Sequence, residues 1–347
     1  MLRRHILMLS AFGVFLFLLS TPLFFAIYRD AAFNTSPRDD YGPYLQHLVG
    51  AGGQIPGAPM AYRLMSVAIA VPFYFLLPVY SFTNLVGVNP SYLRATEALS
   101  AVSYLSLLAT GVLIYMTCRR RLGATQKASV IAALLSFSLS FFVGQEGIDP
   151  LGILMVSLLL FLIDKPFTFA VLLVLSVLVY EKIVIVLSIV VFFRFLLERR
   201  RILLPQLVVC SICVVLYLVI RLLVKVPGYE NQLSPSTYLS SFWRMLSLSM
   251  SLKGLVTNVI PTLVIGCIAG LGYWTQVRFQ IVSSASQRAD VFVLAVMILI
   301  GMAIDVEYTL GRLVMFAYPL YLPIVSRWID YEFVEPGASR DARVPTG

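Results

Sequence analysis

The sequence predicts an all-α, polytopic transmembrane bundle of about ten membrane-spanning helices, with outer juxtamembrane or re-entrant helices in its first loop. Three observations lead there. Long apolar runs recur throughout the 347 residues, which are 59% hydrophobic and only 12% charged. The polar intervals between them are short, the longest being residues 28–60, 225–253 and 328–347. The net charge of +9 sorts to one side of the layout that these runs impose, as the topology rule for membrane helices requires.

In chain order, Arg3 and Arg4 precede the first run, residues 6–28, which at ~1.5 Å per residue can cross a hydrocarbon core of ~30 Å. The amino terminus is expected in the cytoplasm. The run is long for a signal-peptide core and lacks a small-x-small site, so it is expected to stay as an anchor. Residues 29–60 then form an outward loop. Within it, Gly50-Ala-Gly-Gly-Gln-Ile-Pro-Gly57 cannot make a regular helix.

Residues 62–86 are apolar again but interrupted by Pro72 and Pro78. Were this stretch to cross, Arg119-Arg120-Arg121 and later arginine clusters would face outward, against the positive-inside rule. The expectation is therefore a partly embedded helix pair on the outer side, so that the first outward loop covers residues 29–97. Spans then follow at 98–118, 128–143, 151–163, 167–179, 183–197, 203–224, 254–274, 291–304 and 313–326, alternating inward and outward. Residues 1–327 make one membrane domain, and 328–347 a disordered cytoplasmic tail without apolar periodicity.

On this layout 16 of the 26 lysines and arginines lie inside, and the 17 acids divide 7 inside and 10 outside. The outer face is near neutral and the inner face carries the whole excess. The basic balance is thus accounted for by topology, which excludes a nucleic-acid partner and leaves inner arginines for anionic membrane lipid. The location expected is the plasma (inner) membrane, with both termini cytoplasmic.

Cys118, Cys210, Cys213 and Cys267 sit in or beside apolar runs, where a thiol acts as a small hydrophobe. Cys210 and Cys213 share a helix face but have no ligand-like company, so packing is the expected role. His5 and His47 are the only histidines, which excludes a histidine-rich metal site.

Charged residues at outward helix ends converge on one membrane face. First among them is Ser36-Pro37-Arg38-Asp39-Asp40-Tyr41, two adjacent carboxylates beside an arginine. Like charge raises one carboxyl pKa, Arg38 lowers it, and an ionised carboxylate suits a base acting on a hydroxyl. Glu146 and Asp149 follow, then Tyr180-Glu181-Lys182, which interrupts an apolar stretch from 167 to 193 and needs a partner or a polar surrounding. Glu307 and Arg312 come last. A departing phosphate would require cations, for which Lys182, Arg312, Arg63 and Arg244 are present. Each of these charges also has a plainer reading, as a solvated turn or a headgroup anchor.

The order and sidedness of these motifs resemble the GT-C superfamily of polytopic glycosyltransferases. The likeness rests on S-P-R-D-D-Y-G-P-Y-L-Q-H-L directly after a first helix with a basic start. It is extended by A-Y-R-L-M-S around Arg63, R-R-R-L-G at Arg119 to Gly123, E-G-I-D-P-L at Glu146 to Leu151, Y-E-K in reversed order, and E-Y-T-L-G-R at Glu307 to Arg312. The resemblance implies a polyprenyl-phosphate-linked sugar donor and inverting hexosyl or pentosyl transfer to a hydroxyl on the outer face. It places the catalytic carboxylate at Asp39 or Asp40 and the donor phosphate at Lys182, Arg312 and Arg63. Arg38, Tyr41, Glu146, Asp149, Glu181 and Glu307 would support the site. No cofactor is implied with certainty; some members use a divalent cation, but no metal ligands can be assigned here, and the acceptor, whether glycan, lipid or protein, is undefined.

The chain departs from the pattern in lacking a large carboxy-terminal soluble domain and in its brief 225–253 loop. Two other readings of the residues stay open. One is a transporter or flippase of a lipid-linked or envelope precursor; the other is a non-catalytic GT-C-like membrane protein.

Overall fold

The computed structural model describes residues 41–53, 55, 63–76, 90–140, 149–198, 203–223, 235–279, 284–303 and 310–334, and these are helices and turns with no strand among them. The acidic pair, Arg38, Glu146 and Glu307 lie outside the described residues, as does the first expected span.

After α1 (Tyr41–Leu48), the apolar stretch expected to be embedded begins as two short helices, α2 (Leu64–Ala68) and α3 (Val71–Leu76). The remainder of that stretch, residues 77–86, lies outside the described residues. The long α4 (Pro90–Arg121) starts eight residues before the expected span, drawing Arg94 and Glu97 into the helix. It ends where Gly123 takes a φ of 63°, a left-handed position that glycine fills without strain. Arg119 donates to the Ala124 carbonyl there, so the arginine run also helps close the helix.

The next helices track the expected runs closely: α5 (Gln126–Ser140), α6 (Asp149–Phe161), α7 (Pro166–Val177), α8 (Glu181–Glu198) and α9 (Leu204–Leu223). Proline suits the first turn of α7 because an amide there has no intrahelical partner. Residues 225–253, expected to be a loop, contain a helix instead, α10 (Pro235–Ser249). The chain then runs through α11 (Leu252–Gly254), a π-helical turn (Leu255–Val259) and α12 (Ile260–Phe279), followed by α13 (Ser284–Ala303).

The last expected span is broken into α14 (Leu310–Met315) and α15 (Tyr318–Ile329). Pro319 explains the break, since its ring and missing N–H prevent α14 from continuing. The expected disordered tail is corrected at its start: α15 runs on to Ile329, and Asp330–Val334 forms a π-helical turn. Asp330 accepts from the Thr125 backbone N–H at 2.8 Å and from its hydroxyl, which fastens this turn to the start of α5.

Buried side chains on almost every side make α15 the central helix, against α12, α5, α4 and α6. Around it, α4 packs on α6 and α5, and α8 packs on α13 and α9. Among the described residues two helices are long and apolar enough to cross a membrane, Ser91–Arg121 and Leu252–Thr275. The remaining apolar helices are shorter by that measure, so a full set of about ten spans is not reproduced. On α9, Leu204, Val208, Ile212, Val215 and Val219 lie on one side of the helix and are 40–58% exposed.

Candidate functional site

Arg63, just ahead of α2, is buried and lies at the centre of a polar cluster. The backbone around it is held from two directions. The Ser66 N–H and hydroxyl both donate to the Arg63 carbonyl, and the Met65 N–H donates to Leu178 O at 3.1 Å in the turn between α7 and α8. That turn arises because α7 closes on the Ser176 carbonyl, which accepts from both Val179 and Tyr180 N–H, before α8 restarts at Glu181. A carboxylate in the first turn of a helix is favoured by the helix dipole.

The Arg63 guanidinium binds the Glu181 carboxylate with two nitrogens, Nε reaching Oε2 at 2.8 Å. Its third nitrogen donates to the Tyr41 hydroxyl, and its carbon sits 4.1 Å from the centre of the Tyr180 ring. This is the planar, forked and stacked geometry for which arginine is suited and lysine is not. Beneath it, Tyr180 stacks on Phe316 with centroids 5.4 Å apart. Gly152 leaves room for that stack, since a Cβ there would come within 2.7 Å of the Phe316 ring. Asp149, buried at the start of α6, lies one turn from Gly152 on the same side.

Electrostatics follow from burial. Loss of water pushes the Tyr41 phenol up to about 12, opposed by Arg63 and reinforced by Asp149 and Glu181. Burial likewise raises Tyr180 well above the usual phenol range, with Asp149 adding to it. Burial works against the Arg63 charge, but Glu181, Tyr180 and Tyr41 together outweigh it, and the guanidinium stays protonated. The cluster is thus an ionic pair wrapped in two neutral phenols.

Of the residues anticipated from sequence, Arg63, Tyr41, Glu181 and Asp149 are brought together. Arg63, expected to grip a donor phosphate, is engaged by Glu181 and Tyr41, which makes it a brace between the first loop and α8. Lys182 and Arg312 have defined backbone positions, second in α8 and third in α14, but their side chains lie outside the described residues. Among the described residues no group of three potential metal ligands occurs.

Other contributors were not anticipated. Asn258, buried in the π-helical turn, accepts the Leu310 N–H at 3.1 Å and so sets the start of α14, the helix bearing Arg312. Gly311 seats the same helix against Thr257 and Pro261. A lone amide within an apolar run was the available signal. Gln46 donates to Ser91 at 2.7 Å, and Arg94 lies over the Tyr74 ring at 5.3 Å, joining α1 and α3 to the head of α4.

No protein-family model matches the chain, and no curated protein or solved structure does so either.

Proposed function

We propose that this chain is a multi-pass membrane glycosyltransferase of GT-C type, moving a sugar from a polyprenyl-phosphate donor to an acceptor hydroxyl on the outer face of the plasma membrane. The observation that carries the reading is the tie between Tyr41 and the Arg63–Glu181 pair. Tyr41 directly follows Asp39 and Asp40 in the sequence and is itself tied, through Arg63, to Glu181 at the start of α8. The exposed apolar stripe of α9 supports a lipid surrounding, because such a surface is unfavourable in water. Helices shorter than the bilayer are accommodated by local thinning and by snorkelling of flanking charges.

In the proposed reaction the carboxylate of Asp39 or Asp40 takes the proton of the acceptor hydroxyl. The hydroxyl oxygen forms a bond to the anomeric carbon as the bond from that carbon to the phosphate oxygen breaks. Polyprenyl phosphate leaves with the electron pair, its charge met by Lys182 and Arg312, and the anomeric configuration inverts. Arg63 is assigned to holding the loop, with Glu181, Tyr41 and Asp149.

The test is genetic. Asp39→Asn and Asp40→Asn are introduced separately and together, insertion is checked by immunoblotting of membranes, and envelope glycans are compared by mass spectrometry. Loss of one sugar from one glycan in variants that still insert is the expected result. An unchanged glycan profile sinks the transfer mechanism, and loss of function only on neutralising charges within the bundle would instead identify a transporter.

A further inference from the structure

The described side chains of α10 divide among three faces. Met245 is fully buried, with Phe242, Leu248 and Ser249 half-buried around it, and the helix packs against α13. Trp243 and Leu246, at i and i+3, share a second face, and Met250 in the turn just past the helix continues their spacing; they are 61%, 37% and 70% exposed. Ser240, Arg244 and Ser247 share a third, also exposed. A helix resting on a water-soluble core needs an apolar inner face and a polar outer one. The additional apolar, outward face calls for a second apolar surrounding.

The segment after α10 identifies that surrounding. Ser251 caps it, accepting the Gly254 N–H at 3.1 Å and donating to Leu248 O at 2.6 Å. Gly254 lies so close beneath that carbonyl that a Cβ would come within 1.9 Å of it, so the corner is tight. The exposed apolar surface passes around it from Met250 to Leu252, Val256, Ile260 and Leu263, down the flank of the Leu252–Thr275 candidate span. Exposed Lys253 marks one end of this flank, and exposed Trp274 and Arg278 the other. Lys253 and Trp274 are separated by about 32 Å at ~1.5 Å per residue, close to the ~30 Å hydrocarbon thickness, with aromatic and cationic anchors where an interface places them.

We propose that α10 is an interfacial helix lying in the headgroup layer of the bilayer. Trp243, Leu246 and Met250 enter the boundary between headgroups and acyl chains, while Arg244 and Lys253 meet lipid phosphates and Ser240 and Ser247 face water. Lipid is favoured over a second copy of the chain because exposed apolar residues run on in the chain from Met250 to Leu252 and the flank of the span, with cations that complement phosphate beside them. The assignment is independent of the transfer reaction.

The full chain carrying Cys267→Ser, its other three cysteines being buried, is reconstituted into phosphatidylcholine–phosphatidylglycerol vesicles. Single cysteines are placed by Ser240→Cys, Ser247→Cys, Leu246→Cys and Met250→Cys, and a charged maleimide is supplied on both sides of the membrane. In a separate Trp274→Phe/Trp328→Phe protein, Trp243 fluorescence is quenched by lipids brominated at shallow or deep acyl positions. Positions 240 and 247 are expected to label about tenfold faster than 246 and 250, the ratio a modest transfer free energy gives, and shallow bromines to quench Trp243 most. Equal labelling with quenching by aqueous iodide alone would put the face in water and overturn the proposal. So would disulfide-linked dimers of Leu246→Cys without lipid quenching, or strongest quenching by the deep bromines.

Discussion

Neutralising Glu181 leaves the Arg63 guanidinium without its counter-charge in a setting where the two side chains are only 8% and 13% exposed. Breaking a buried ion pair from one side costs about 3–5 kcal/mol, mostly the penalty of stranding the remaining charge. The Tyr41 hydroxyl and the Tyr180 ring still receive the guanidinium in Glu181→Gln, and the new amide oxygen accepts one hydrogen bond, which places the loss near ~3 kcal/mol. The double variant Arg63→Met/Glu181→Leu strands no charge, although the Tyr41 hydroxyl loses the Arg63 hydrogen bond. It is expected to be less destabilised than the sum of the single variants Arg63→Met and Glu181→Leu, by about 2–3 kcal/mol of coupling. The assay is unfolding of purified protein in dodecylmaltoside micelles titrated with sodium dodecyl sulfate, followed by far-ultraviolet circular dichroism. A Glu181→Gln protein within about 0.5 kcal/mol of wild type, together with additive single variants, would refute the view that this pair anchors the loop.

Other outcomes are equally specific. Gly311→Ala is expected to cost about 1–3 kcal/mol in the same assay, because its Cβ would fall 2.2 Å from Thr257 O. Gly270→Ala, with nothing within 4 Å of its Cβ, is expected to be neutral or to stabilise by about 0.5–1 kcal/mol. At alkaline pH, folded Tyr41 keeps its proton from about 10 up to about 12 while the unfolded phenol releases it. The folded state then binds more protons, so stability falls as pH rises; wild type should lose up to about 2.5 kcal/mol more than Tyr41→Phe over that range, measured by unfolding at each pH. A cysteine at Leu122 in a Cys267→Ser background should resist a charged maleimide added outside intact cells and react once the membrane is opened. Labelling from outside would mean that residues 62–86 cross.

Much of the helix layout was legible because apolar run length and proline position are local signals. The run expected at 167–179, found as α7 from Pro166, and the interruption at Tyr180 could both be read directly. What could not be read depends on which face of a segment is covered. Residues 225–253 looked polar because Ser240, Arg244 and Ser247 alternate with Trp243 and Leu246, and only packing against α13 reveals a three-faced helix. Asp330 looked like part of a solvated tail until its partner, the Thr125 amide 205 residues away, was brought to it. At the site, the sequence identified Arg63 and Glu181 as charges needing an explanation, yet not as each other's, since they are 118 residues apart. The contacts of Arg63, a carboxylate, a phenol and a ring, come from Tyr41 and from Tyr180 and Glu181, segments far apart in the chain, and no local pattern joins them.

The most direct measurement is donor turnover by purified protein. Wild type and Asp39→Asn/Asp40→Asn protein, matched for folding by circular dichroism, are incubated with a panel of polyprenyl-phosphate sugars and candidate acceptors, and released polyprenyl phosphate and glycosylated products are quantified by mass spectrometry. Wild type is expected to consume one donor, with one polyprenyl phosphate released per inverted glycosidic bond, and the double variant to consume none. Equal consumption by both proteins, or none by wild type with any donor and acceptor, would contradict the transfer mechanism.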